Sequence, residues 1–340
     1  MHAAWAKYRL TFKFDARTSR GSMRSKDTYF VRITDDAGRC GLGECALFKG
    51  LSHDDHDDYE ARLSEACEHI ADRSYISPYS SIRFGIDTAM ANLANNAEGI
   101  VFDNDFGRGK LSIPINGLIW MGDKATMAER IAEKLAAGFK VLKLKIGGIN
   151  FDEEFDLLRL IRSTFPAGTL EIRLDANGSF APHEAMSKLE QLAAFDIHSI
   201  EQPVKPGERL PGNSPIAIAL DEELIGIHST EQKHQMLRTL KPDYIIIKPA
   251  LCGGLNEASR WADAAEAEGV GWWATSALES NIGLNAIAQW VADRGVARPQ
   301  GLGTGQLFTN NIPSPLQLHG DRLSYNPRGQ WSLPNVSWHR

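Results

Sequence analysis

Hydrophobic and polar residues follow one pattern over the first hundred residues and another from residue 111 onward. WAKYRLTFKF and TYFVRITD alternate apolar and polar side chains, which predicts half-exposed strands. DYEARLSEACEHIA and YSSIRFGIDTAMANLANNA repeat apolar residues at helical spacing. Two polar segments that contain glycine, 16–26 and 48–58, lie between regular elements and are predicted to be loops. Residues 1–110 are therefore predicted to form an α+β domain.

Residues 111–305 alternate short apolar strands with helical stretches. The predicted strands are LSIPINGLIW, KVLKLKI, LEIRLD, IHSIEQP, PIAIALD, YIIIKP, VGWWAT and ARPQGLGT. Alternating β and α elements indicate a parallel sheet, and eight such units fit a closed (β/α)8 barrel. The link VKPGERLPGNS after the fourth strand is rich in Pro and Gly, so that unit is expected to lack a normal helix. Residues 306–340 are expected to pack back on the first domain.

Composition narrows the classes of function. The chain has 340 residues, is 43% hydrophobic and carries a formal net charge of -6, which argues against nucleic acid or an anionic membrane as the main partner. The first residues alternate apolar and charged side chains, unlike a signal peptide. Four cysteines without zinc-ligand spacing indicate reduced thiols and a cytoplasmic location. The sequence leaves open whether the chain forms an oligomer.

Three successive strands of the predicted barrel end in an acidic residue. LEIRLDANG reaches Asp175, IHSIEQP reaches Glu201 and PIAIALDEE reaches Asp221. Because the carboxyl ends of parallel strands meet at one rim of a barrel, the three carboxylates are expected to converge. One such residue is explained as a helix cap, but three like charges repel strongly unless a cation lies between them. Oxygen ligands alone indicate Mg²⁺, with Mn²⁺ as the alternative.

Three lysines lie on strands around the same rim. KVLKLKIGG places Lys143 and Lys145 two apart, so both side chains face the barrel interior. Mutual repulsion between two ammonium groups favours a neutral amine, and a neutral amine is a usable base at neutral pH. YIIIKPALCGG ends the sixth strand at Lys248, across the barrel from the second strand. Taken alone, Lys248 could be a lysine at the rim that pairs with a glutamate. Taken with Lys145 and the three acidic residues, it predicts two amines on opposite sides of a bound substrate.

In this order, the motifs KLK, LDANG, IEQP, LDEE and IIIKP resemble those of the enolase superfamily, more narrowly of its muconate-lactonizing subgroup. The resemblance covers the whole barrel, and residues 1–110 are similar to the capping domain of that family. Within the subgroup, IPINGLIWMG and SALESNIGLNAIAQW are most similar to segments of the o-succinylbenzoate synthase family. The resemblance implies an α/β fold, in which a (β/α)8-type barrel carries an N-terminal α+β capping domain that the C-terminal tail completes.

The resemblance also implies the chemistry of the site. The implied Mg²⁺ ligands are Asp175, Glu201 and Asp221, and the metal would hold the carboxylate of a small-molecule substrate. Lys145 would remove the proton alpha to that carboxylate and return a proton to a departing hydroxyl in a syn elimination. Lys248 would stay cationic beside the enediolate, while Lys143 would tune Lys145 and contact the carboxylate. The implied reaction is the dehydration of 2-succinyl-6-hydroxy-2,4-cyclohexadiene-1-carboxylate to 2-succinylbenzoate in menaquinone biosynthesis.

Further polar residues are candidates for binding the rest of the substrate, which bears a succinyl carboxylate. Asn177 is expected to face the mouth and orient a ligand or metal-bound water, although a turn role fits its position equally well. The candidates at the seventh and eighth strand ends are Ser276, Asn281, Gly283, Gly303 and Thr304. Arg20 and Arg24, in the predicted loop 16–26, are candidates for closing over the succinyl group, although an exposed loop arginine is usually only solvated.

Two other interpretations remain. A racemase or epimerase of the same subgroup, acting on N-acylamino acids or dipeptides, would use Lys145 and Lys248 on the two faces of its substrate. Dipeptide epimerases of the family typically carry Asp-x-Asp at the eighth strand, where this chain has GLGTG, so a dipeptide substrate is disfavoured. A non-catalytic barrel that only binds a metal or a partner gives no reason for two lysines to face the metal.

Overall fold

A long antiparallel hairpin at the start of the chain forms the sheet of the first domain. The computed structural model describes residues 1–18, 21–72, 78–148, 150–210 and 212–340. The elements of the first domain are β1 (His2–Thr18), β2 (Gly21–Thr34), β3 (Cys40–Cys45), α1 (Tyr59–Glu68) and α2 (Ser80–Ala94). The three strands pair in the order β1-β2-β3, and α2 lies against β3. Gly43 permits this close approach, because a Cβ there would lie 1.9 Å from the carbonyl oxygen of Gly85.

The predicted loop at 16–26 is instead the end of the β1-β2 hairpin. The strands remain paired beyond a bulge, with Ala16 opposite Met23 and Thr18 opposite Gly21. The prediction was wrong because this end of the hairpin is mostly polar and lacks the alternating apolar face by which a strand is recognised. Backbone pairing with the neighbouring strand, which no local pattern encodes, defines the strands here.

Seven parallel strands curl into the barrel. They are β5 (Gly117–Ile119), β6 (Val141–Lys145), β7 (Glu171–Asp175), β8 (Ser199–Glu201), β9 (Ile218–Leu220), β10 (Tyr244–Ile247) and β11 (Gly271–Ala274), which neighbour one another in chain order. The outer helices are α3 (Lys124–Ala136), α4 (Phe151–Thr164), α5 (Pro182–Ala193), α6 (Thr230–Leu240), α7 (Pro249–Cys252), α8 (Gly254–Ala267) and α9 (Asn281–Asp293). Among the described residues of the link between β8 and β9 there is no helix, as its Pro and Gly content predicted.

The predicted eighth strand is not a regular strand. Gln300 and Gly301 form single parallel bridges to Ile115 and Thr275, and these bridges join the two edges of the seven-stranded sheet. The Gln300 side chain also accepts a hydrogen bond from the backbone N–H of Ala274 at 2.7 Å. A segment with glycine at three of five positions, GLGTG, makes too few side-chain contacts to stabilise a longer strand.

The C-terminal residues contact both domains. Strand β12 (Leu316–His319) pairs with β13 (Arg322–Tyr325), and β13 pairs with the short strand β4 (Ser112–Pro114). Strand β4 is the first part of the segment predicted as one strand, LSIPINGLIW. Residues 307–310 run along the edge of β1, where the backbone N–H of Thr309 donates to the Thr11 carbonyl oxygen at 2.9 Å. This hydrogen bond connects the tail to the first domain. No helix in the described ranges has both the length and the apolar character needed to cross a bilayer.

Candidate active site

One cavity opens at the carboxyl ends of the barrel strands, the end at which barrel enzymes carry their active sites. Its charged side is formed by the residues that end β6, β7 and β10, namely Lys143, Lys145, Asp175, Asn177 and Lys248, together with Glu222. Its other side is formed by apolar and small polar residues of β5, of the loop after β11 and of the irregular eighth segment. Phe48 and Leu51, from the predicted loop 48–58 of the first domain, cover the opening.

Strand alternation and register bring the charged groups together. Lys143 and Lys145 project from the same face of β6, as predicted, and Lys145 lies beside Asp175 in the register of β6 and β7. Asp175 in turn lies beside Glu201 of β8. Asp221 follows β9, the next strand around the barrel, so the three carboxylates end adjacent strands and all three are buried.

Each of the three carboxylates contacts a lysine ammonium group. Lys143 Nζ lies 2.9 Å from Asp175 Oδ2 and 2.7 Å from Glu201 Oε2. Lys145 Nζ donates to Asp175 Oδ2 at 2.9 Å and to Asn177 Oδ1 at 2.7 Å. Lys248 donates to Asp221 from the opposite side of the cavity. The lysines predicted as base, tuner and cation therefore lie around one cluster of carboxylates.

The opposite charges around Lys143 and Asp175 shift the pKa values of both groups. Burial alone would lower the pKa of Lys143, but the carboxylates led by Asp175 and Glu201 outweigh burial and hold this pKa well above its ordinary value. Burial alone would raise the pKa of Asp175, but the lysines led by Lys143 and Lys145 outweigh it and hold this pKa well below its usual range. Lys143 is therefore an ammonium group bound between carboxylates. Its predicted effect on Lys145 stays a prediction.

The chemistry of these side chains fits a divalent cation. Burial, and after it repulsion from Asp175 and Asp221, raises the pKa of Glu201 to about 8, although two lysines oppose this. A third buried carboxylate therefore needs more positive charge nearby in order to stay ionised. Within the described residues, no three His, Cys, Asp or Glu side chains are already arranged as metal ligands. The oxygen-only donors Asp175, Glu201 and Asp221 nevertheless match the preference of Mg²⁺.

The structure brings four of the predicted substrate-binding residues to the cavity. Asn177, Ser276, Gly303 and Thr304 line it. Asn177 has a left-handed backbone, with φ of 45°, and its side chain accepts from Lys145 and donates to Glu222 Oε1 at 3.1 Å. Asn177 thus occupies a turn and contacts Lys145, while its predicted contact with a ligand or metal-bound water stays a prediction.

The other predicted substrate-binding residues are placed elsewhere or fall outside the described residues. Asn281 and Gly283 belong to the first turn of α9, and neither is among the described residues that line the cavity. The Asn281 amide donates to the Ile312 carbonyl oxygen at 2.7 Å, and the Gly283 N–H donates to Glu44 at 2.9 Å. Arg24 is exposed on the hairpin and pairs with Asp15 at 2.8 Å. Arg20 lies outside the described residues.

Several cavity residues were missed by the sequence analysis. They are Phe48, Leu51, Asn116, Leu118, Trp120, Glu222, Leu251, Thr275, Ala277, Leu278 and Gly301. The alternation of Asn116, Leu118 and Trp120 along the first barrel strand was a signal that these side chains share the inner face. Glu222 gave no comparable signal, because two adjacent glutamates follow Asp221 and only the structure shows which one turns inward.

Within the part of the chain that the structure describes, several polar side chains that line the cavity have buried atoms without a hydrogen-bond partner. Asn116 Oδ1, Trp120 Nε1, Thr275 Oγ1 and Thr304 Oγ1 are buried and have no hydrogen-bond partner among the described residues. Buried polar atoms are normally paired. Because the four side chains also line the cavity, their free donors and acceptors are available to polar groups of a ligand.

Comparison with known proteins identifies the class to which this fold and site belong. Residues 126–317 match the family model described as "Enolase C-terminal domain-like", so the chain belongs to the enolase superfamily. An o-succinylbenzoate synthase from Desulfotalea psychrophila is 44% identical, over 95% of this chain and 98% of the relative.

Solved structures agree with this family assignment. The crystal structure of MenC from Desulfotalea psychrophila superimposes with a TM-score of 0.83 at 41% identity, covering 95% of this chain and 99% of that one. A dipeptide epimerase from Enterococcus faecalis, solved with Mg and the dipeptide L-Leu-L-Tyr, shares the fold with a TM-score of 0.79 at 20% identity, over 97% of each chain. A member of the same fold therefore binds a divalent metal.

Proposed function

We propose that the chain is an o-succinylbenzoate synthase that dehydrates 2-succinyl-6-hydroxy-2,4-cyclohexadiene-1-carboxylate to 2-succinylbenzoate for menaquinone synthesis. The observation that carries this proposal is the placement of Lys145 and Lys248 on opposite sides of one cavity, with buried carboxylates between them. The near full-length similarity to an o-succinylbenzoate synthase supports the choice of substrate. The four cysteines form no disulfide, which supports a cytoplasmic enzyme.

In the proposed reaction, Lys145 takes the proton alpha to the substrate carboxylate. The electron pair of that C–H bond moves into the ring as the C–O bond to the hydroxyl breaks. The same amine returns a proton to the departing oxygen, so that water leaves and the ring becomes aromatic. Asn177 orients Lys145 through its contact with Nζ. Lys248 opposes the negative charge that develops on the substrate, and this stabilises the transition state more than the ground state.

The metal in this proposal is Mg²⁺, held by Asp175, Glu201 and Asp221. When bound, it would neutralise the substrate carboxylate and so make the adjacent proton more acidic. Lys143 remains an ammonium group beside Asp175 and Glu201 and offsets their charge. The unpaired atoms of Asn116, Thr275 and Thr304 are proposed to meet the polar groups at the other end of the substrate.

The direct test is to incubate the purified chain with the cyclohexadiene substrate and Mg²⁺ and to follow the aromatic product by absorbance. Turnover is expected for the natural sequence and is expected to be lost in Lys145→Ala and Asp221→Asn. The proposal is wrong if the natural sequence forms no product above background. It is equally wrong if Lys145→Ala forms product as fast as the natural sequence does.

Racemisation of N-acylamino acids is a second candidate activity. Lys145 and Lys248 approach the cavity from opposite sides, as exchange of an alpha proton between two faces requires. Incubation with an N-succinylamino acid in deuterated water tests it. Deuterium incorporation with inversion is expected to need both lysines. Incorporation that persists in Lys248→Ala without inversion would show that only one face is served.

A further inference from the structure

Three buried charged side chains lie between the first domain and the barrel and have no part in the proposed reaction. They are Lys26 of β2, Glu44 of β3 and Glu279 of the loop between β11 and α9. Lys26 is 7% exposed, and both glutamates are 0% exposed. Charged groups are rarely buried to this extent unless they are paired, so this cluster needs an explanation.

Glu44 holds the start of α9 from the first domain. Its carboxylate accepts hydrogen bonds from the Ser280 backbone N–H at 2.8 Å, the Ser280 hydroxyl at 2.6 Å and the Gly283 N–H at 2.9 Å. A carboxylate at a helix N-terminus is stabilised by the free N–H groups and by the helix dipole. The contact is made without any backbone pairing between these two segments, so Glu44 fixes where α9 and the loop before it lie.

Glu279 controls the loop that forms one wall of the cavity. The Ser276 hydroxyl donates to Glu279 Oε2 and accepts from the backbone N–H of Leu278 at 3.0 Å. Leu278 has φ of 65°, a left-handed conformation that is unfavourable for a branched side chain. Ser276, Ala277 and Leu278 all line the cavity. Glu279 therefore fixes both the hydroxyl direction of Ser276 and the strained turn that follows it.

Lys26 lies buried near the two glutamates, and burial lowers its pKa although Glu44 and Glu279 oppose this shift. Its Nζ has no hydrogen-bond partner among the described residues, but Glu44 and Glu279 are its strongest electrostatic partners. Both glutamates lie close to Gly283, because a Cβ at this position would lie 2.7 Å from Glu279 and 3.1 Å from Glu44. A chain of contacts thus runs from the sheet of the first domain to the wall of the cavity.

We propose that Glu279 is a positioning residue for substrate binding, which holds the cavity wall at Ser276 and Leu278, and that Glu44 holds the adjacent Ser280 from the first domain. This inference rests on the proposed function, since the substrate is what the wall would contact. In this inference, contacts with the first domain determine the conformation of the loop between β11 and α9. Because the lysines and carboxylates of the charged side are untouched, loss of Glu279 should weaken binding of the substrate more than the chemical step.

The test compares Glu279→Ala, Glu279→Gln and the natural sequence in the dehydration assay. Loss of the Ser276–Glu279 hydrogen bond, with the unmet polar groups it leaves in the wall, is expected to raise KM by about tenfold in Glu279→Ala, while kcat changes by less than about threefold. Glu279→Gln keeps an acceptor for Ser276 and is expected to return KM most of the way to the natural value. An unchanged KM in Glu279→Ala would overturn the positioning role.

Glu257→Ala is the matched control, because it also removes a buried, hydrogen-bonded carboxylate. Glu257 accepts from Lys233 Nζ at 2.7 Å. Glu257 is not among the described residues lining the cavity, so its removal should lower the unfolding temperature without changing KM. An equal rise of KM in Glu257→Ala would show general loosening and overturn the proposal. If Glu279→Ala does not fold, Glu279→Asp replaces it, because its carboxylate is one methylene shorter and no longer reaches Ser276. A rise of KM that Glu257→Asp does not show is then expected.

A double-mutant cycle with Ser276→Ala tests whether Glu279 acts through Ser276. The double variant is expected to show about the same KM as Glu279→Ala alone, because the two changes remove one shared contact. Fully additive effects would overturn this mechanism. Absence of turnover in the natural sequence would overturn the proposed function. Turnover in the natural sequence with an unchanged KM in Glu279→Ala would overturn only the positioning role.

Discussion

At the scale of single residues, the positive charge of Lys145 and its role as a base can be tested separately. Replacement by Arg keeps a positive charge beside Asp175 but removes a base, because a guanidinium group does not deprotonate in proteins. Lys145→Arg is therefore expected to lower kcat by about 10²- to 10⁴-fold with little change in the thermal unfolding midpoint. Assay and unfolding curves together check this. An Arg variant that retains a tenth of the natural activity would contradict the role as base.

Arg24 offers a second test at this scale, because its predicted and observed positions differ. Its side chain is 85% exposed and pairs with Asp15 on the hairpin. Exposed pairs of this kind contribute little, so Arg24→Ala is expected to leave kcat/KM within about twofold of the natural value. Steady-state kinetics with the proposed substrate checks this. A large rise in KM would mean that Arg24 contacts the succinyl group after all, as the sequence suggested.

At the scale of elements, the barrel is closed between its first and last strands only by single backbone bridges among the described residues. Gly301 bridges to Thr275, and a Cβ at Gly301 would lie 2.3 Å from Thr275 Oγ1 and 2.9 Å from Thr275 Cβ. Gly301→Ala is therefore expected to reduce the free energy of unfolding by about 1–3 kcal/mol and to raise KM, since both residues line the cavity. Chemical denaturation and kinetics measure the two effects.

Gly168→Ala is the matched control for this prediction. A Cβ at Gly168 would have no heavy atom within 4 Å, and its backbone lies outside the left-handed region. This variant is expected to match the natural sequence in both stability and KM. If Gly301→Ala behaved in the same way, the closure at Gly301 would not be as tight as the contacts indicate.

Elements with strong local patterns were predicted well, and those that depend on distant pairing were not. Strands β6, β7 and β10 end within two residues of their predicted ends, because a strand buried on both faces has a distinctive composition. The eighth strand was predicted from the β/α repeat alone, and its glycines leave only single bridges at Gln300 and Gly301. The hairpin end at 16–26 was missed because its pairing is not visible in local sequence.

The residues of the candidate site also divide into those that local sequence predicts and those that depend on distant contacts. The lysines and acids on β6, β7 and β10 could be predicted because position on a strand determines the face of a side chain. Asn281 and Gly283 were misassigned because their partners, Glu44 and Ile312, are far away in the chain. Thr275 was missed because a small polar residue at the end of an apolar run gives no sign of whether it faces a cavity.

At the scale of the whole molecule, metal binding should be coupled to stability. A ligand that binds only the folded chain stabilises it by about 2.7 kcal/mol at a concentration 100 times its Kd. Mg²⁺ is therefore expected to raise the thermal unfolding midpoint of the natural chain, and chelation with EDTA should reverse this and abolish turnover. Asp221→Asn is expected to show a smaller rise. An equal rise in the natural chain and in Asp221→Asn would mean that the stabilising metal binds at a site that does not include Asp221.

The segment 307–310 has a consequence for the order in which the protein folds during synthesis. It covers the edge of β1, yet it follows the entire barrel in the chain, so the ribosome delivers it about three hundred residues after the strand it pairs with. Until then the edge at Thr11 and Lys13 presents unpaired backbone groups, of the kind that join strands of different molecules. Newly made chains are therefore expected to depend on chaperones, or on rapid docking of the barrel, during the last stage of translation.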